Sequence, residues 1–154
     1  MNIELISKAE FSVIGREGST EEGDGFVQRL WSEANARFDE VAHLAARDEK
    51  GIPLGFWGAM TDFSGSFKPW EDGFCRGLYL AGVECIEDAE APEGWVKWTI
   101  PGFTYLRAEC NSPTLFADML AHLASQNLEL AGAVQDFTDP NTGRSYMYFP
   151  IRRQ

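Results

Sequence analysis

Disulfides, cationic clusters and long apolar runs are the features this chain has least of. Three cysteines in 154 residues are an odd count with no dense spacing. Cys75, Cys85 and Cys110 therefore read as free thiols of a reducing compartment, not as a disulfide framework. Cations are scarce as well: 13 Lys and Arg stand against 24 Asp and Glu, for a formal charge of −11. The only basic cluster is Arg152–Arg153. A phosphate backbone and an anionic membrane would both repel such a surface, so neither nucleic acid nor membrane is expected as a direct partner. No stretch approaches the roughly 18 apolar residues a membrane span needs. The opening MNIELISKAEFSV carries charge early and has no apolar h-region, so it does not read as a signal peptide. The expected location is the cytoplasm.

Motifs of the hard chemistries are missing too. There is no CxxC, HExxH, GxSxG elbow or Walker loop, and GREGST lacks both nucleotide fingerprints. His43 and His122 stand on predicted helices without ligands at metal spacing. Neither a metal nor a cofactor is expected. Cys85 and Cys110 read as buried small hydrophobes.

Apolar residues make up 44% of the chain and aromatics 13%. That is enough for a sizeable core, and aromatics also line ligand pockets. The strongest internal signal is a repeat. GAMTDFS (58–64) returns as GAVQDFT (132–138), 74 positions on. A repeat has to be settled before any single motif is read.

FSVIGREG (11–18) has strand character. Val27, Leu30, Trp31, Ala34, Phe38, Val41 and Ala45 follow at helical steps, which predicts one helix from Phe26 to about Ala45, with Asp24 as N-cap and Gly51 and Pro53 as the stop. LGFWGAMTDF predicts a strand. In residues 74–86 another strand has Tyr79, Ala81, Val83 and Cys85 on one face and Leu78, Leu80, Gly82 and Glu84 on the other. After the acidic linker EDAEAPEG the order returns. Residues 95–110 form strands broken at Pro101-Gly102, and a helix starts at Ser112-Pro113 and stops at Asn127. LELAGAVQDF and SYMYFPI complete the second half as strands. Each half reads β-α-β-β, repeat one over about residues 10–86 and repeat two over about 95–152. The predicted fold is a single α+β domain, 1–154, built from duplicated units with pseudo-twofold symmetry. It has an antiparallel sheet, helices on one face and a groove between the halves.

That order, with FSVIGRE, Leu30-Trp31, GFWG, GLYLAGVEC, IPGFTYLRAE and the closing YFPI, resembles the GyrI-like small-molecule-binding domains, the effector-binding domains of AraC-family and BmrR-type transcription regulators. FWGAMTDFS, PWED and GLYLAGVEC look most like a stand-alone branch without a DNA-binding domain. The resemblance implies an aromatic-lined cleft with a carboxylate for cationic or polar ligands. In various members it implies regulation, partner-enzyme binding or hydrolysis of reactive natural products. The usual Glu, two positions before a Tyr, falls on Gln135, with Phe137 in place of the Tyr. A one-residue slip would bring in Asp136 instead, but from the other face of the strand.

The candidate residues follow. Trp31 lies on the helix stripe, where a core role is the simpler reading. Trp57 and Trp70 either line the groove or cover core. Trp98 alternates with Val96 and Ile100 as core or pocket wall, and Tyr105 offers a hydroxyl on an apolar wall. Glu84, a carboxylate on an apolar strand face, is the predicted charged anchor; if buried, its pKa should rise, and it could meet a cation or act as acid/base. For Asp62 and Asp136 turn chemistry is preferred over a pair of groove carboxylates.

The leading expectation is a binder of an amphipathic or cationic small molecule, related to transcription regulation. The alternatives are a hydrolase using Glu84 and Tyr105, or an acidic inhibitor of a partner protein. Edge strands of the sheet could also pair two copies.

Overall fold

The computed structural model describes residues 2–154. Eight strands form one antiparallel sheet: β1 (Ile3–Lys8), β2 (Phe11–Ser19), β3 (Phe56–Thr61), β4 (Leu78–Cys85), β5 (Val96–Ile100), β6 (Phe103–Glu109), β7 (Gln135–Thr138) and β8 (Ser145–Arg153). The helices are α1 (Phe26–Ala36), the single turn α2 (Glu71–Phe74) and α3 (Leu115–Ser125). The fold is α+β, as expected. The strand order is β1-β6-β8-β7-β3-β4-β2-β5. It reads the same from both ends when β1 is set against β5, β2 against β6, β3 against β7 and β4 against β8.

This order forces the sheet to curl. β1 and β2 stand six strand steps apart, about 29 Å in a flat sheet at roughly 4.8 Å per step. Yet only Ala9 and Glu10 separate Lys8 from Phe11, a link that spans at most about 11 Å. Pro101 and Gly102 make the corresponding short link from β5 to β6. The two margins therefore meet along a seam. At the bend Gly15 pairs with Gly82, and a Cβ on either would collide with the neighbouring strand's backbone.

Cross-strand neighbours share a face, so the register separates inside from outside. The row Ala81–Gly58–Asp136–Met147–Ala108 faces the helices. Phe26 and Leu30 of α1 pack with Tyr79 and Ala81, and Leu115, Met119 and Leu123 of α3 pack with Ala108, Val134 and Phe149. The neighbouring row, Gly82–Trp57–Phe137–Tyr146, faces the inside of the curl. There Phe11, Val13, Leu80, Trp98, Phe103, Tyr105 and Tyr148 close around Trp57.

Several local expectations change, and α3 starts at Leu115 with Thr114 at its N-cap, not at Ser112-Pro113. The first helix ends at Ala36 and continues as two 3-10 turns, Phe38–Glu40 and Ala42–Leu44. Val41 and Ala45 remain buried, which preserves the apolar period, but Ala46 N–H donates to Glu84 C=O and Ile86 N–H to Leu44 C=O. Pairing with β4 thus displaces the last helical turns. The N-cap is Gly25, in the left-handed region at φ 81°, not Asp24. In LELAGAVQDF only Gln135, Asp136 and Phe137 belong to the strand, which runs on to Thr138; before Gln135, Ala131 and Ala133 donate to Pro150 and Phe67 C=O instead. Asn127, at φ 56°, does end α3.

Candidate functional site

The nine predicted site residues divide between the two faces. Trp57, Glu84, Trp98, Tyr105 and Phe137 lie inside the curl, where Trp57 is 1% exposed and Tyr105 is 1% exposed. The Trp57 ring centre is 4.7 Å from Phe137, 4.8 Å from Phe11 and 5.0 Å from Tyr148, a packed aromatic core. Glu84 is buried but not alone. Trp57 Nε1 donates to its Oε1 at 3.0 Å and Lys8 Nζ to its Oε2 at 3.3 Å. Trp98 Nε1 donates to Glu17 at 2.7 Å. The Tyr105 hydroxyl has no hydrogen-bond partner among the described residues, and burial raises its pKa.

Gln135 is 1% exposed. Its Oε1 accepts from Met60 N–H at 2.8 Å, and its Nε2 donates to Met60 C=O at 3.3 Å and Ala133 C=O at 3.2 Å. β3 and β7 pair only through Phe56, Trp57 and Gly58. The Gln135 amide thus extends their ladder by one rung with a side chain, satisfying backbone groups that would otherwise be buried and unpaired.

Trp31, Trp70 and Asp136 are on the helix side, and around them runs a groove between α1 and α3. One part, a cavity of about 220 Å³, is lined by Met60, Pro69, Trp70, Phe74, Phe116 and Val134, with Met147 behind. Phe74 meets Phe116 edge to face at 5.2 Å, and Trp70 is fixed by an Nε1 bond to Leu78 C=O at 2.9 Å. The α2 turn that carries Phe74 holds Asp72, Gly73 and Phe74 at positive φ. The other part, about 280 Å³, includes Trp31, Gly58, Tyr79, Cys110 and Asp136. The two floors are successive positions two residues apart, Met60 and Gly58 on β3, and Val134 just before β7 and Asp136 on it.

Asp136 is the polar centre of this groove. Its carboxylate has no hydrogen bond or salt bridge to any other described residue, and burial pushes its pKa up from 3.8 to about 6. This corrects the turn reading. Asp62 does perform turn chemistry, accepting from Ser66 N–H at 3.0 Å and Lys68 N–H at 3.3 Å. After β7 that task falls to Asp139, which accepts from Asn141 N–H at 2.8 Å. Asp136 is left free. Above it the Tyr79 hydroxyl accepts from Trp31 Nε1 at 2.9 Å. Burial, with the negative Asp136 nearby, raises the Tyr79 pKa and keeps the phenol protonated. Its proton is then available to another acceptor. Gly58 makes room for this arrangement: a Cβ there would collide with the Tyr79 hydroxyl and lie 3.2 Å from Asp136 Cβ.

Tyr79, Gly58, Met60 and Phe116 were not singled out from sequence. Alternation places Tyr79 on the correct strand face, but its link to Trp31 spans 48 positions and depends on how α1 lies on the sheet. Cys85 is buried as expected. Cys110 is exposed at the groove rim, because β6 ends one residue before it. Among the described residues, no group of three or more His, Cys, Asp or Glu is placed to hold a metal, and no helix is long and apolar enough to cross a membrane.

No family model and no curated protein sequence matches the chain. Solved structures do. SAV2435 bound to tetraphenylphosphonium superposes with a TM-score of 0.63 at 13% identity, over 99% of this chain and 94% of that one. The EcmrR C-terminal domain gives 0.60 at 10% identity, over 99% and 98%. EcmrR in its DNA complex gives 0.63 at 9% identity, over 99% of this chain and 58% of that one. At these identities the likeness is one of fold, and the chain has the fold of the GyrI-like domains.

Proposed function

We propose that the chain binds an amphipathic cation in the groove between α1 and α3. The observation that carries this reading is the free, half-buried carboxylate of Asp136 between Trp31 and Tyr79, beside an apolar cavity. An unpaired carboxylate in such a place is costly until a cation meets it. The aromatic faces of Trp31 and Tyr79 attract the same charge, and Met60, Trp70, Phe74 and Phe116 supply apolar area for the rest of the ligand. The net charge of −11 would draw cations toward the surface. SAV2435, with the same fold, was solved with a lipophilic cation, which supports the choice of ligand class. In this reading Asp136 takes the role that the resemblance assigns to a Glu, from the outward face of β7, while Gln135 serves the backbone.

The likeness to EcmrR, seen in complex with DNA, supports an effector-reading role related to transcription regulation, with DNA contact left to another polypeptide or segment. The free thiols suit the cytoplasm. A hydrolytic role would also have to use this groove, because a carboxyl titrating near 6 beside a protonated phenol is a proton-transfer pair; Glu84 and Tyr105 face away from it. Calorimetric titration with tetraphenylphosphonium separates these readings. Saturable binding that Asp136→Asn weakens about tenfold or more supports the binder. Binding unchanged by that substitution, or no binding, refutes the assignment. Turnover of a hydrolysable cation, lost in Asp136→Asn, would favour the enzyme.

A further inference from the structure

On the opposite face an ammonium group of the chain itself is held between a carboxylate and aromatic rings. Lys8 ends β1 at the seam of the curled sheet. Its Nζ donates to Glu84 at 3.3 Å and lies 4.4 Å from the centre of the Phe11 ring and 5.7 Å from that of Trp57. Trp57 Nε1 holds the other oxygen of the same carboxylate at 3.0 Å. One carboxylate, oriented by an indole N–H, and two aromatic faces surround a single ammonium group. These are the elements of an ammonium-recognition box. The box opens on a cleft of about 400 Å³ bordered by Glu10, Glu84, Glu87 and Thr99, where Glu10 and Glu87 are exposed. Solvent cations can therefore approach it through a negatively charged mouth.

Two facts make this more than a surface ion pair. Glu84 is 7% exposed, and Lys8 is the only cation within salt-bridge distance of it among the described residues. Among the described residues β1 is an edge strand that pairs with β6 alone, so the ammonium is tethered to the margin of the sheet that must be drawn to the other. The geometry points to a latent site for a primary alkylammonium, formed by Glu84, Trp57 and Phe11, which Lys8 occupies as a tethered ligand that holds the seam closed. A tethered group acts at a high effective concentration. A free alkylammonium therefore competes poorly with Lys8 and gains the site when Lys8 is shortened.

The test uses n-butylammonium and Lys8→Ala, both in an Asp136→Asn background so that the helix-side groove does not contribute. Melting curves and the Trp57 indole N–H resonance, assigned by Trp57→Phe, are followed. Lys8→Ala should melt about 5 °C lower. Butylammonium should restore part of that loss, shift the Trp57 indole signal and bind at least about tenfold more tightly than to the Lys8-containing protein. The neutral analogue n-butanol, and butylammonium added to the variant that also carries Glu84→Gln, should produce none of these effects. If Lys8→Ala does not fold alone, refolding it or Lys8→Ser with butylammonium present should recover the native spectrum. Equal responses to butylammonium and butanol, an unmoved Trp57 signal, or no recovery of either unfolded variant would overturn the site. Because the background lacks the Asp136 carboxylate, none of these outcomes bears on the helix-side groove.

Discussion

Glu84 and Asp136 stand on opposite faces of one curled sheet, and their surroundings differ in kind. Inside the curl, Glu84 meets an indole N–H and an ammonium group, and the aromatic rings around it touch one another. On the helix side, Asp136 meets no donor among the described residues, and the aromatic groups near it border open space. Burial raises its pKa to about 6. A carboxylate whose partners come from its own chain helps to hold the fold together. A carboxylate left without them makes the native state sensitive to whatever cation arrives. The two faces thus separate stability from binding, and substitutions on each should report on one property more than the other.

The largest effect should come from the inner face. Trp57→Ala removes a fully buried ring and leaves Glu84 without its indole donor. It should destabilise by about 3–5 kcal/mol, read by urea unfolding, whereas Trp31→Ala on the groove should cost much less stability and more ligand affinity. Equal stability losses would break the comparison.

Asp136→Asn should act with the opposite sign. The folded-state pKa lies above the ordinary 3.8, so the folded protein binds more protons between about pH 4 and 6, and its stability falls as pH rises through that window. Asparagine does not titrate there. The variant should match the parent below about pH 4 and exceed it above about pH 6, by up to about 3 kcal/mol at 1.36 kcal/mol per unit. Unfolding free energies measured from pH 4 to 8 would show this. Next comes Gln135→Leu, which leaves Met60 N–H and C=O unsatisfied and should cost about 2 kcal/mol with little change in cation affinity. The smallest effect is expected for Trp31→Phe. It removes only the bond to Tyr79, worth about 1 kcal/mol, and should weaken cation binding modestly by releasing the phenol.

Much of the fold was legible because it is written locally. Alternation placed Tyr79 and Ala81 opposite Leu80 and Glu84, and the repeated heptads marked β3 and β7, which the sheet sets side by side at its centre. The strand order reads alike from both ends, and each half carries a leading strand beyond the expected β-α-β-β. β1 was missed because its short IELISK run is an edge strand with its partner, β6, about 100 residues away. The helix to Ala45 was overextended because buried residues recur at similar spacing in 3-10 turns. The site was less legible. Whether Gln135 or Asp136 faces the ligand depends on a one-residue register, and here Gln135 points inward and Asp136 outward. Glu84 looked like the anchor because sequence shows a carboxylate on an apolar face but not the lysine, 76 positions away, that meets it. Gly58 matters through the side chain it lacks, which becomes visible only with Tyr79 and Asp136 around it.

The most direct test of this division is tetraphenylphosphonium affinity, measured by calorimetry from pH 5 to 8 for the parent protein, Asp136→Asn and Glu84→Gln. The parent should bind more tightly as pH rises through about 6, as Asp136 ionises. Asp136→Asn should lose both the affinity and its pH dependence, while folded Glu84→Gln keeps both. Retention of pH-dependent binding in Asp136→Asn, with its loss in folded Glu84→Gln, would place the ligand on the inner face and contradict the account.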